Sequence, residues 1–274
     1  MKWFVYTVLG LLVWASVPIA DPAEAADGKV EVDVELFLAV DVSRSMTPRE
    51  LEIQRRGYAE ALVSKPVVDA IMSGLLGRVA ITYVEWAGQN SQRVVVDWTV
   101  ISDRASAQAF ASKLTAHFQD SLRRTSISGA LDYGARSIEA NNFTANRRVI
   151  DVSGDGPNNH GRPVLAARAE VLARGIVING LPLMTREGMG SMWHLEDLDD
   201  YYRHCVIGGP GAFVVPVLKW SNFPEAVRRK LVLELAGWPA PGPPAAPVVK
   251  AQANGYDCLV GEKMWMNFRR DWLQ

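Results

Sequence analysis

Short apolar runs alternate with longer amphipathic segments along most of the chain. The run 36–40 (Leu-Phe-Leu-Ala-Val) is apolar at every position, which is typical of a strand covered on both faces. Similar runs at 148–153 and 176–181 predict two more buried strands. Because the segments between them have helical periodicity, the chain is predicted to adopt an α/β fold.

The amphipathic segments predict the helices that cover this sheet. Thr47, Pro48 and Glu50 form a capping-box pattern with proline in the first turn, so a helix is expected from there to about Ser64. Further helices are predicted at 103–114, 128–141, 163–174, 195–203 and 224–236.

Two β-rich segments, 78–86 and 92–98, are joined by Gly-Gln-Asn-Ser and predict a hairpin. One antiparallel edge strand follows from it, and a last strand is predicted at 212–218. The predicted fold class is therefore a Rossmann-like, doubly wound α/β fold with a mostly parallel central sheet, one antiparallel edge strand and helices on both faces.

The N-terminus has the layout of an export signal. Lys2 precedes an apolar run over 3–14, and Ala23-Glu24-Ala25 fits a small-residue cleavage site. Residues 1–26 are therefore predicted to be a signal peptide, cleaved after Ala25 or Ala26. An uncleaved membrane anchor is the alternative, because the apolar stretch extends to Ala20 and approaches the roughly 20 residues that span a bilayer.

The C-terminal region is divided by prolines. Residues 27–237 are predicted to form one domain, 238–250 a Pro/Ala-rich linker and 251–274 a tail with a short amphipathic helix over 262–272. Trp265, Phe268 and Trp272 share one face of that helix. This face either docks on the protein itself, which is favoured, or associates with a membrane surface.

Charge and cysteine content narrow the class of protein. The chain has 274 residues with 29 Lys+Arg and 30 Asp+Glu, and removing residues 1–25 leaves 28 of each sign. A neutral protein has no long-range field that would attract nucleic acid. Export would also permit a disulfide between Cys205 and Cys258, although two buried thiols are the alternative.

Candidate chemistry follows the first strand. Asp41, Ser43 and Ser45 alternate in the loop after it, where open α/β sheets place ligand sites. One carboxylate with two hydroxyls is a hard oxygen set suited to Mg²⁺. Such a set needs further ligands, and Thr125, before a helix, and Asp155, after a strand, are expected at the same sheet edge.

These motifs resemble the metal-ion-dependent adhesion site (MIDAS) of von Willebrand factor type A domains over roughly residues 33–237. The resemblance implies that Ser43, Ser45 and Thr125 supply hydroxyl ligands, while Asp41 and Asp155 act directly or through water. The ion would be Mg²⁺, or Mn²⁺ or Ca²⁺. Gly154 stands where the family usually has Thr. The runs S-G-D-G-P-N-N, I-N-G-L-P and V-I-G-G-P-G-A-F also resemble bacterial secreted proteins classed as a domain of unknown function.

The resemblance implies recognition rather than catalysis. In type A domains a partner's Asp or Glu carboxylate completes the metal site, so the expected function is a secreted or periplasmic protein-binding protein that is not an enzyme. Common hydrolase and nucleotide-binding motifs are absent from the sequence. Two alternatives stay open: a metal-assisted hydrolase or phosphatase using Asp41 and Asp155, and a structural envelope protein with a vestigial site.

Overall fold

The computed structural model describes residues 28–118, 120–185, 194–236 and 255–272. The predicted signal peptide at 1–26 and the predicted linker at 238–250 lie outside the described residues. No helix in the described ranges is long and apolar enough to cross a bilayer.

A five-stranded sheet forms the centre of the protein. Its order is β3-β2-β1-β4-β5, and every neighbouring pair is parallel except β2 with β3. The predicted fold class, with one antiparallel strand at the edge, is confirmed. The strands are β1 Val30–Asp41, β2 Val79–Trp86, β3 Gln92–Ile101, β4 Phe143–Gly154 and β5 Val177–Pro182.

Helices cover both faces of the sheet. On one face α1, α3 and α7 pack over a core that includes Leu36 and Leu38, and on the other α4 and α5 pack over Phe37 and Ile150. Neighbouring β1 side chains enter opposite cores, which explains the uninterrupted apolar run. The helices are α1 Pro48–Leu62, α2 Lys65–Met72, α3 Arg104–Thr115, α4 Ile127–Ala140, α5 Val164–Ala173, α6 Leu198–Tyr201, α7 Phe223–Leu235 and α8 Val260–Trp272.

Two predicted elements differ from the structure, and one helix was not predicted. The chain turns after α1 and begins the unpredicted helix α2, with Pro66 in its first turn. The strand predicted at 212–218 makes only isolated bridges, Gly180 with Val214 and Leu183 with Val217. Pro182, between these two positions on β5, has no amide to donate to that segment, so the ladder is interrupted. The helix predicted at 195–203 is the short α6 followed by a π-helical turn at Tyr202–Val206.

A buried ionic cluster ties α7 to β4. Lys230 Nζ lies 2.8 Å from Asp151 Oδ1 and also pairs with Glu234, and all three side chains are at most 1% exposed. Asn179 Nδ2 donates to Glu234 Oε1 at 2.8 Å. Burial raises the pKa of Asp151 to about 7, with a further contribution from Glu234, while Lys230 opposes the shift.

This shift predicts a pH dependence of stability. A carboxyl whose folded-state pKa is raised binds a proton more tightly when folded, so its stability contribution is lost as pH rises from about 4 through about 7. The free energy of unfolding, measured by urea titration in chelator, should fall between pH 5 and pH 8. Asp151→Asn should flatten that fall, and an unchanged slope in the variant would contradict the assignment.

The C-terminal tail docks on the domain. A disulfide joins Cys205 and Cys258, with an S–S distance of 2.00 Å and a Cα–Cα distance of 5.5 Å. After it, α8 approaches the loop that follows β4 so closely that a Cβ at Gly261 would overlap the carbonyl oxygen of Asn158. Asn158 Nδ2 also donates to Glu262 Oε1 at 2.7 Å. The tail helix therefore lies on the protein's own body.

Candidate metal centre

The five predicted site residues converge at the carboxyl edge of the sheet. Asp41 ends β1 and Asp155 directly follows β4, and these strands are parallel neighbours. The chain leaves β1 toward β2 on one side of it and later returns to β4 on the other. Open α/β sheets bind ligands at such a switch point, beyond the carboxyl ends of the strands.

A tight turn orients the first three residues. The backbone amide of Ser43 donates to Asp41 Oδ1 at 2.7 Å, and the Met46 amide donates to the Ser43 carbonyl at 3.0 Å. Gln54, on α1, donates from Nε2 to the Asp41 carbonyl at 3.0 Å. The turn is thus held by its own backbone and by the helix that follows it.

Hydroxyl and carboxylate oxygens meet across the two loops. Ser43 Oγ lies 2.9 Å from Ser45 Oγ, and Ser45 Oγ donates to Asp155 Oδ1 at 2.9 Å. Ser43 Oγ makes a longer contact of 3.5 Å with the same carboxylate oxygen. Side chains 112 and 110 residues apart in the sequence therefore form one oxygen cluster.

Thr125 is brought to this cluster by two asparagines. Its backbone amide donates to Asn159 Oδ1 at 3.0 Å, and its carbonyl accepts from the Asn159 amide at 2.9 Å. Asn158 Oδ1 accepts from the Ser128 amide at 3.0 Å. These two asparagines fasten the loop after β4 to the start of α4.

One cleft of about 230 Å³ contains the exposed part of the cluster. Ser43, Ser45, Thr125 and Asp155 line it, whereas Asp41 is 0% exposed and lies behind them. In the described part of the chain, no three His, Cys, Asp or Glu side chains cluster as metal ligands. The donor set is therefore dominated by hydroxyls.

Asp41 and Asp155 form no ion pair with a basic side chain of the described residues. Asp41 Oδ2 is buried and accepts no hydrogen bond within the described structure. Burial, followed by repulsion from Asp155, raises the pKa of Asp41 well above its usual range, and burial also raises the pKa of Asp155. An orphaned carboxylate oxygen behind converging hydroxyls fits a hard divalent cation, since the cation would supply the missing charge.

Tyr202 is a site neighbour that sequence reasoning missed. A Cβ at Gly154 would lie 2.9 Å from the Tyr202 hydroxyl and 3.0 Å from Asp41 Oδ2. The phenol thus occupies the space beside position 154, which explains why glycine stands where type A domains usually have threonine. Gly180, on the neighbouring strand β5, opens the same slot, since a Cβ there would lie 2.6 Å from Tyr202 Cδ1. In the sequence, the glycines at 154 and 180 are the signals that could have indicated a large side chain at this place.

The fold and the arrangement of this edge define a von Willebrand factor type A-like domain. The chain belongs to the DUF1194 family, described as a protein of unknown function, which matches residues 31–239. No curated protein matches the chain.

Several solved structures share this fold. Proximal thread matrix protein 1 from the mussel byssus, solved with a zinc-occupied MIDAS motif, is 13% identical with a TM-score of 0.51, over 76% of this chain and 48% of that one. The pilus adhesin SpaC from Lactobacillus rhamnosus GG is 12% identical with a TM-score of 0.54, over 74% and 30%. A von Willebrand factor type A protein from Catenulispora acidiphila is 15% identical with a TM-score of 0.51, over 74% and 42%. The chain spans less than half the length of each, and at these identities the likeness shows the fold.

Proposed function

We propose that this protein binds a divalent cation at Asp41, Ser43, Ser45, Thr125 and Asp155 and recognises a protein partner through it. The buried, unpartnered Oδ2 of Asp41 beside the Ser43–Ser45–Asp155 oxygen cluster carries this proposal. Mg²⁺ matches the hard oxygen donors, and Mn²⁺ and Ca²⁺ are alternatives. When bound, the ion would attract a carboxylate.

The residues divide this task between them. Ser43, Ser45 and Thr125 would offer neutral hydroxyl oxygens, so little negative charge would be donated to the ion from the cleft side. Asp41 and Asp155 would supply the balancing charge from behind and from the wall of the cleft. An ion with so few anionic neighbours stays attractive to an Asp or Glu side chain of a partner.

The same geometry favours binding over catalysis. Asp41 is 0% exposed and does not line the cleft, so a substrate entering the cleft meets Ser43 and Ser45 first. A nucleophilic carboxylate must reach the reacting atom. We therefore propose a protein that is not an enzyme. Turnover of a generic phosphate ester that disappears in Asp41→Asn would favour the hydrolase alternative instead.

The proposed location is outside the cytoplasm, secreted or periplasmic. The Cys205–Cys258 disulfide supports it, because such bonds persist in oxidising compartments. N-terminal sequencing of the exported protein would test whether residues 1–26 are removed.

Metal titration tests the proposed site. After removal of metal by chelator, Mg²⁺ well above its dissociation constant should raise the melting temperature by about 5 °C, because a ligand that binds only the folded state stabilises it. Asp41→Ala should abolish the rise. Asp69→Ala, which removes an exposed carboxylate on α2, is the matched control and should keep it. A wild-type melting temperature that none of Mg²⁺, Mn²⁺ and Ca²⁺ moves would refute the site.

A further inference from the structure

The mouth of the cation cleft is built from three separate parts of the chain. Arg44 comes from the turn after β1, Arg123 and Arg124 from the segment before α4, and Trp265 and Phe268 from the tail helix α8. The C-terminal helix, which the matched family region at 31–239 excludes, thus forms one wall of the candidate site.

The arginines at this mouth carry uncompensated charge. Arg44, Arg123 and Arg124 make no ion pair with any described residue, whereas Arg162 pairs with two carboxylates elsewhere. Like charges gathered at one rim favour the approach of an anion.

Arg124 is held in place for such a contact. Its guanidinium carbon lies 3.5 Å from the centre of the Trp265 ring, and its Nη1 is buried with no hydrogen-bond acceptor in the described structure. Its backbone has φ of 78°, a conformation that non-glycine residues rarely adopt, directly before Thr125. The Arg124 guanidinium is therefore preorganised beside the candidate metal ligand Thr125, and its Nη1 has no described hydrogen-bond acceptor.

We propose that this cleft binds an acidic peptide segment that carries at least two neighbouring carboxylates. One carboxylate would complete the cation site, and another would pair with Arg124, assisted by the exposed Arg44 and Arg123. The apolar parts of the segment would lie on Trp265 and Phe268. This inference rests on the proposed cation site and adds a second point of recognition, supplied by the arginines and the tail helix.

Binding of two synthetic peptides tests the second point. Two peptides that carry a neutral fluorophore are titrated with the full chain in Mg²⁺, and binding is followed by fluorescence anisotropy. One peptide has four glutamates, and the other has a single glutamate among three glutamines. The four-glutamate peptide should bind at least about tenfold more tightly, because a charged hydrogen bond to Arg124 contributes about that factor. Arg124→Gln should remove most of this advantage and leave the single-glutamate peptide unaffected.

Two further variants test the contribution of the rim charges. Arg123→Gln removes an exposed charge at the rim of the cleft and should weaken four-glutamate binding several-fold. Arg136→Gln, an exposed arginine on α4 outside the cleft, should change nothing. Equal affinities of the two peptides in the wild type would overturn the inference. Complete competition by equimolar inorganic phosphate would overturn it too, since the arginines would then be a general anion site.

The magnesium-induced rise in melting temperature is measured in parallel. A rise without preference for the four-glutamate peptide overturns this inference and leaves the cation site standing. No rise, with peptide binding that persists in chelator, refutes the cation site and the two-point mode together. Retention of the rise in Arg124→Gln shows that the variant still folds around the site.

Discussion

Replacing Lys230 with methionine should destabilise the folded protein by about 3–5 kcal/mol, because it removes the ammonium group that pairs with two buried carboxylates. Asp151 and Glu234 are both almost completely inaccessible to solvent and share this single ammonium group. Methionine fills a similar volume, so lost packing contributes little. The free energy of unfolding from urea titration at pH 7 measures the effect.

Two further variants identify the cause of the loss. Lys219→Met removes an exposed lysine just before α7 and should cost less than about 0.5 kcal/mol. Combining Lys230→Met with Asp151→Asn and Glu234→Gln removes all three charges and should recover most of the stability. A single variant as stable as the wild type would show that the carboxylates are accommodated without the lysine.

Removing the disulfide by Cys205→Ser with Cys258→Ser should release the tail helix from the domain. The bond closes a loop of 53 residues, for which chain entropy predicts a contribution of about 4 kcal/mol. The remaining tail contacts include Asn158 with Glu262 and Tyr256 with Asp197. Partly exposed contacts of this kind contribute about 1 kcal/mol each, so the disulfide dominates.

Limited trypsin digestion followed by mass spectrometry measures this release. Cleavage after Lys263 and Arg269 in α8 should be at least about tenfold faster in the double variant and in reduced wild type, because trypsin cuts released chain far faster than a docked helix. Lys113, on α3, is the internal control, and cleavage there should not change. Equal rates at the α8 sites in all samples would show that the helix docks without the bond.

Much of the fold was predictable because its signals are local. The apolar run of β1, the hairpin of β2 and β3, and the capping box at Thr47 each depend on neighbouring residues, and the structure contains all three. The unpredicted helix α2 has only eight residues and begins at Lys65, just beyond the end at about Ser64 predicted for α1. The 212–218 segment has the composition of a strand, but its pairing partner β5 accepts it only at isolated positions.

The candidate site was predictable in part for a related reason. Asp41, Ser43, Ser45, Thr125 and Asp155 follow strands or precede a helix, and parallel strands bring such positions to one edge of the sheet. Metal binding itself stays a prediction. Tyr202 and Arg124 could not be predicted, because their placement depends on how a π-helical turn and the distant tail pack against this edge.

Gly261 determines how closely α8 approaches the rest of the domain. Gly261 has no side chain, so the backbone of α8 packs directly against the carbonyl of Asn158. This backbone contact sets the distance between the helix and the cleft. Substitutions elsewhere on the outer surface of α8 leave that spacing unaltered. Changes of side chain at Trp265 and Phe268 would therefore alter the wall of the cleft while α8 keeps its distance from the loop that follows β4.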